Sequence, residues 1–202
     1  MMRKWFLAAV VLISGIAASL VVMTPTGEGI RDTVSNYRDL TRYEVRGDRM
    51  YISGELNART PEKLKRALRD NPQVGTLVLT DMPGSLDDEA LFPFAKWVRE
   101  QGLNTHLKSN SKIESGAVDL FLAGERRTME KGAKIGVHSW SEGDREAREF
   151  PSYHSVHRIY ADYIRSMLGS AEFYWFTIAA SPADSIHWLT ESEIGRFGLV
   201  TN

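Results

Sequence analysis

Between residues 49 and 107 the chain runs twice through the same order of elements, and this order constrains the fold more than any other feature. Arg49-Met-Tyr-Ile-Ser-Gly54 reads as a strand stopped by glycine. The next segment, 60–70, carries Thr60 as an N-cap, Pro61 at the first helical position, and Leu64, Ala67 and Leu68 at helical spacing. Residues 76–80, Thr-Leu-Val-Leu-Thr, are a short buried strand. A turn at 81–86, Asp-Met-Pro-Gly-Ser-Leu, leads into a second helix over 87–101, with Ala90, Leu91, Phe94, Trp97 and Val98 on one face, Gly102 as its stop, and 104–107 as the next strand. A strand, helix, strand order favours a right-handed crossover and a parallel pair. The expectation is an α/β layer structure, in which ligands bind beyond the carboxyl ends of the strands.

Downstream, a polar loop delivers Ser115, Gly116 and Ala117 to the start of an apolar helix, and a β-type run over 132–138 ends in His138. Residues 141–150 are highly charged and lack an apolar stripe, so they read as an exposed loop beside the site, with a lid or partner contact as the functional alternative. A helix is expected over 152–168, with Tyr153, Val156, Tyr160, Tyr163 and Met167 on one stripe and Gly169 ending it. An apolar stretch at 173–180 follows, and 189–200 reads as a short helix, a glycine stop and a terminal strand. No internal repeat or low-complexity tract appears. The description is one α/β domain over 48–202, preceded by a 30–47 spacer of weak helical spacing.

The ends and the composition limit the function. With 43% hydrophobic residues among 202, the chain can bury one substantial core. Its 25 basic and 26 acidic residues give no reason to expect a nucleic-acid partner. The absence of cysteine removes disulfides, thiolate metal sites and cysteine nucleophiles together. Arg3 and Lys4 precede an uncharged run over 5–23, 19 residues against the roughly 20 that cross a bilayer. That run exceeds the roughly 7–15 residues of a cleaved signal's core. Residues 1–29 are therefore read as a signal-anchor, a single transmembrane helix with its linker, in an inner or plasma membrane. The charge asymmetry puts the domain on the extracytoplasmic, periplasmic side. Small residues at Gly15, Ala17, Ala18 and Ser19 leave secretion after cleavage as the alternative.

A serine hydroxyl becomes a nucleophile when a neighbouring base takes its proton and a third group orients that base. Ser115 and His138 end adjacent elements, so they can meet at one edge of the sheet. Gly116 begins a helix and Gly84 follows Pro83 at the end of the neighbouring strand; their two N–H groups would form an oxyanion hole. The plainer readings are that Ser115 only caps a helix and that His138 only packs. His106, His154 and His157 lack the carboxylate spacing of a metal site, and neither a metal nor a cofactor is expected.

Asp81-Met-Pro-Gly-Ser, Glu-Ser-Gly-Ala at 114–117, Phe-Leu-Ala-Gly followed by Arg127, Ala133-Lys-Ile-Gly-Val-His138 and the terminal Phe-Gly-Leu-Val resemble the Clp protease/crotonase superfamily. Within it the chain is most similar to predicted periplasmic proteins related to the Clp proteolytic subunit, over about residues 48–202. The resemblance implies a spiral of ββα units and self-association into homo-oligomers. Carried over by position, it makes Ser115 the nucleophile, His138 the base and the N–H groups of Gly84 and Gly116 the oxyanion hole. The peptidases place an acid shortly before the terminal Gly-Leu-Val segment, which assigns Asp184 here at a two-residue offset, since the ungapped position is Ile186. Ser85 stands where the family pairs a second glycine, and Glu114 and Val118 where relatives often have cysteines. The resulting expectation is a membrane-anchored serine hydrolase, a peptidase acting on a peptide or protein substrate. A Ser–Lys dyad using Lys112 or Lys134 is a variant of it. The alternatives are a noncatalytic binding or scaffold module and, third, an acyl-coenzyme A enzyme.

Overall fold

The structure, a computed structural model, describes residues 38–201. The expected membrane segment and the first part of the spacer lie outside the described residues. Among the described residues no helix is long and apolar enough to cross a membrane.

Strand β1 (Arg42–Arg46) turns through Gly47 and pairs antiparallel with β2 (Arg49–Ser53). Helix α1 (Thr60–Asp70) crosses to β3 (Thr76–Met82), and α2 (Asp88–Glu100) crosses to β4 (Asn104–Glu114); β2, β3 and β4 are parallel. Pro61 begins α1 as expected. Thr60, however, is the first helical residue, and its buried hydroxyl pairs with Thr41 Oγ1 at 2.6 Å and accepts from the Asn57 amide at 2.9 Å. Asp87 caps α2 by accepting from the Ala90 amide at 2.9 Å. Leu77, Val78 and Leu79 are all fully buried, so β3 is covered on both faces, as a continuous apolar run in a parallel sheet requires.

The second half of the molecule grows from β4. Helix α3 (Gly116–Leu122) follows it directly, and β5 (Arg127–Met129) and β6 (Lys134–Val137) both pair parallel with it, β5 along Thr105–Leu107 and β6 along Lys112–Glu114. The sheet order is β1-β2-β3-β4-β6, closed by a late strand β9 (His187–Trp188) on β6, with β5 also on β4. One strand serves two partners because its register against β3 slips between Leu107 and Lys112. Ser111 pins the irregularity, accepting from the Lys108 amide at 2.9 Å and donating to the Leu79 carbonyl at 2.6 Å. Irregularities of this kind re-aim the residues that follow them, here Glu114 and Ser115. The sequence suggested a strand at 104–107 only, because Lys108-Ser-Asn-Ser-Lys112 reads as a loop.

Residues 141–150 are not simply a solvated loop. They form a hairpin, β7 (Ser141–Glu142) with β8 (Arg145–Glu146), and a short 3₁₀ turn whose Ala147 is fully buried. Helix α4 (Arg158–Leu168) is shorter than 152–168, and Tyr153, at 88% exposure, is off the apolar stripe that buries Tyr163 and Met167. Helix α5 (Glu172–Ala180), strand β9 (His187–Trp188), antiparallel to β6, and helix α6 (Glu191–Arg196) complete the order. Residues 197–201 form no strand. They are held by the buried Arg127, whose guanidinium donates to Leu199 O at 2.7 Å, Gly198 O at 3.1 Å and Gly124 O at 3.2 Å. The Thr201 amide in turn donates to Arg127 O at 2.9 Å.

Candidate active site

Parallel strands end at one edge, and β4 and β6 bring Ser115 and His138 to it together. Glu114 is in register with Gly136, and the Ser115 amide donates to Gly136 O at 3.1 Å, two residues before His138. Ser115 and His138 line the same cavity of about 80 Å³. No hydrogen bond joins Ser115 Oγ to the His138 ring, whose Nδ1 lies 2.6 Å from Ser139 O, leaving Nε2 for a reacting partner.

Ser115 is more than a helix cap. Its side chain makes no capping hydrogen bond, and its φ of 51° makes it the one non-glycine residue with positive φ among the described residues. Backbone in that region costs of order 1–3 kcal/mol, so the surrounding structure holds it there. The sharp turn from β4 into α3 presents the hydroxyl to the cavity.

The two glycines expected to bind an oxyanion flank Ser115. Gly84 has φ of 140°, and a Cβ there would lie 3.0 Å from Ser115 Cβ and 3.5 Å from Ser115 Oγ. Gly116 allows the close approach of the 84–88 turn, since a Cβ would meet Ser85 Cβ at 2.5 Å and Asp88 Oδ1 at 3.2 Å. Neither N–H donates to a protein acceptor among the described residues, while Gly84 O accepts from Leu56 at 2.9 Å. Ser85, which replaces a glycine of the resembling family, is thus packed on Gly116 rather than disrupting the turn.

The structure places Asp184 away from this cavity: it is exposed in the loop between α5 and β9 and makes no hydrogen bond among the described residues. Lys112 and Lys134 are also exposed, and Lys112 pairs with Glu114 at 2.8 Å and lies over the Trp188 ring. Three other carboxyls surround the site. Asp88, in the first turn of α2, and Asp119, in α3, line the cavity. Burial raises the Asp88 carboxyl above its usual range, against the hydrogen bond from Ser85 and the attraction of His138. Burial, and then Asp88, push Asp119 well above its usual range. The third is Glu146, whose Oε1 accepts from the Ala183 amide at 2.9 Å and whose Oε2 is buried without a hydrogen-bond partner. The Ala183 amide first, then the Ser139 hydroxyl, hold its carboxyl below the usual range, and Arg148 and His138 add attraction.

Asp119 was legible in principle, because four residues from Ser115 on a helix is one turn along the same side. Asp88 and Glu146 were not, since each reaches the site through a turn whose path no periodicity reveals. Of the other histidines, His157 is buried against Tyr174 Oη at 2.6 Å, and His106 bonds Thr128 Oγ1 at 2.8 Å. Among the described residues no cluster of three or more metal-binding side chains occurs.

The fold is that of the Clp protease/crotonase superfamily. A membrane-bound stomatin-specific protease, solved with a substrate peptide, superposes with a TM-score of 0.52 at 16% identity, over 74% of this chain and 71% of that one. The enoyl-CoA hydratase of Bacillus halodurans superposes with a TM-score of 0.51 at 15% identity, over 80% of this chain and 72% of that one. No protein-family model and no curated protein sequence matches the chain. A peptidase and a hydratase on one backbone show that the chemistry has to be argued from this chain's own side chains.

Proposed function

We propose that this protein is a serine hydrolase, a peptidase acting by acyl transfer, with Ser115 as nucleophile, His138 as base and the Gly84 and Gly116 N–H groups as the oxyanion hole. The observation that carries the reading is Ser115 itself: an uncapped hydroxyl on a positive-φ turn, between two N–H groups without protein acceptors, in a cavity it shares with His138. Ser115 Oγ adds to the substrate carbonyl carbon as His138 takes its proton, and the oxyanion rests on the two N–H groups. The C–N bond then breaks, the amine leaving with the proton from His138, and water hydrolyses the acyl-enzyme by the same steps. Hydrogen bonds between nucleophile and base tighten when substrate binds. The Ser139 carbonyl, 2.6 Å from His138 Nδ1, orients the ring, and Asp88 and Glu146 add attraction to its charged form where Asp184 was expected to act. The uncharged run over 5–23 adds that this chemistry runs on the extracytoplasmic side of a membrane. A membrane-bound protease among the structural neighbours supports that setting.

The missing Ser115–His138 hydrogen bond favours a second reading, a noncatalytic scaffold that keeps the fold. A fluorophosphonate probe separates the two. The full chain is expected to be labelled at Ser115, with labelling lost in Ser115→Ala and reduced at least tenfold in His138→Gln. No labelling, or labelling that survives Ser115→Ala, sinks the hydrolase assignment.

A further inference from the structure

We infer that the cavity beside Ser115 receives a cationic side chain, the lysine or arginine of a peptide, with Asp119 as its counter-ion and Asp88 adding to the field. That the bound residue precedes the cleaved bond rests on the hydrolase reading; the binding itself does not.

Asp119 sits one helical turn beyond Ser115 and lines the same cavity. Its backbone carbonyl accepts from the Tyr163 hydroxyl at 2.6 Å, but its carboxyl makes no hydrogen bond among the described residues. Among the described residues no lysine or arginine lines the cavity: Asp88 has the Ser85 hydroxyl and the attraction of His138, whereas Asp119 has no basic partner there. Asp119 is of intermediate exposure and faces the cavity without a partner, and a ligand that brings the opposite charge offsets the cost of holding it there.

The rest of the wall suits the same ligand. Phe92, Tyr160, Phe173 and Tyr174 line the cavity, with the Tyr160 and Tyr174 rings stacked at 5.8 Å and 6°. Aromatic faces hold the methylene stem of lysine or arginine and attract its charge. An acidic side chain would be repelled here, and a purely apolar one would leave the Asp119 carboxyl desolvated without a partner. About 80 Å³ fits one side chain rather than a folded segment. Burial raises the Asp119 carboxyl well above its usual range, and an arriving cation works in the opposite direction, favouring the ionised form.

The test is equilibrium binding to the full chain carrying Ser115→Ala, followed through the fluorescence of Trp140, which lines the cavity. The probes are Nα-acetyl-lysine methylamide and its norleucine analogue, which keeps the stem and lacks the charge. The lysine compound is expected to bind at least tenfold more tightly, with the preference falling to near unity in Asp119→Asn. Equal or weaker binding of the lysine compound in the parent protein, no binding of either compound, or a preference that survives Asp119→Asn each overturns the proposal. The readout needs no turnover, so failed labelling of Ser115 would end the hydrolase reading and leave this one standing.

Discussion

Ser115 and Asp119 show how much one residue's setting decides. The same hydroxyl at an ordinary N-cap would bond the third amide of the helix and point inward; at φ 51° it bonds nothing and faces a cavity. Asp119, one turn on, carries an electrostatic cost whose sign gives a prediction. Its carboxyl is raised in the folded state above the roughly 3.9 of an unfolded chain. The folded protein therefore binds that proton more tightly than the unfolded one. Its contribution is complete below about pH 3.9 and is lost as pH rises through the raised folded value. Asp119→Asn removes the titration, so thermal melts should show the variant gaining on the parent as pH rises from 4 to 8, each 1 kcal/mol appearing as about 2–4 °C. A constant difference across that range would contradict the burial of this group.

At the scale of elements, the irregularity in β4 and the 141–146 hairpin do the positioning. The slip between Leu107 and Lys112 lets one strand pair with β5 and then with β6, and so brings the Ser115 edge alongside His138. The hairpin holds the other side, through the Glu146 carboxylate on the Ala183 amide. Glu146→Ala strands that amide and frees the 182–185 loop, at a cost of about 1–3 kcal/mol. The expected outcome is a lower Tm together with faster proteolytic cleavage within 182–185. Unchanged cleavage there would mean the hairpin does not restrain the loop.

Across the whole molecule, Arg127 joins what the sequence holds apart. Its guanidinium gathers the carbonyls of Gly124, Gly198 and Leu199, tying the end of α3 to the last residues described. Arg127→Met keeps the stem and deletes the donors, leaving inward-facing carbonyls unpaired. The expected loss is roughly 2–4 kcal/mol, a fall in Tm of about 5–15 °C in a thermal melt. A fall under about 2 °C would show that the terminal segment docks without it.

What the sequence determined by itself is what local patterning carries. The helices over 60–70 and near 88–100, the strands between them and the parallel order followed from apolar spacing, Pro61 and the glycine stops, because these act within a few residues of one another. That Ser115 and His138 come to one sheet edge was legible too, since each ends a recognisable element. Tertiary structure alone decided the acids. Asp184 has the right place in the chain and faces solvent, whereas Asp88 lines the cavity from the first turn of α2 and Glu146 sits on the charged hairpin, bonded to the Ala183 amide. Strand β5 and the length of β4 were likewise invisible, because three residues and a polar irregularity carry too little periodicity to read. The reason is common to all of these. Which carboxyl lies near the site depends on how turns are folded over the sheet edge, and that is set by packing between segments far apart in sequence.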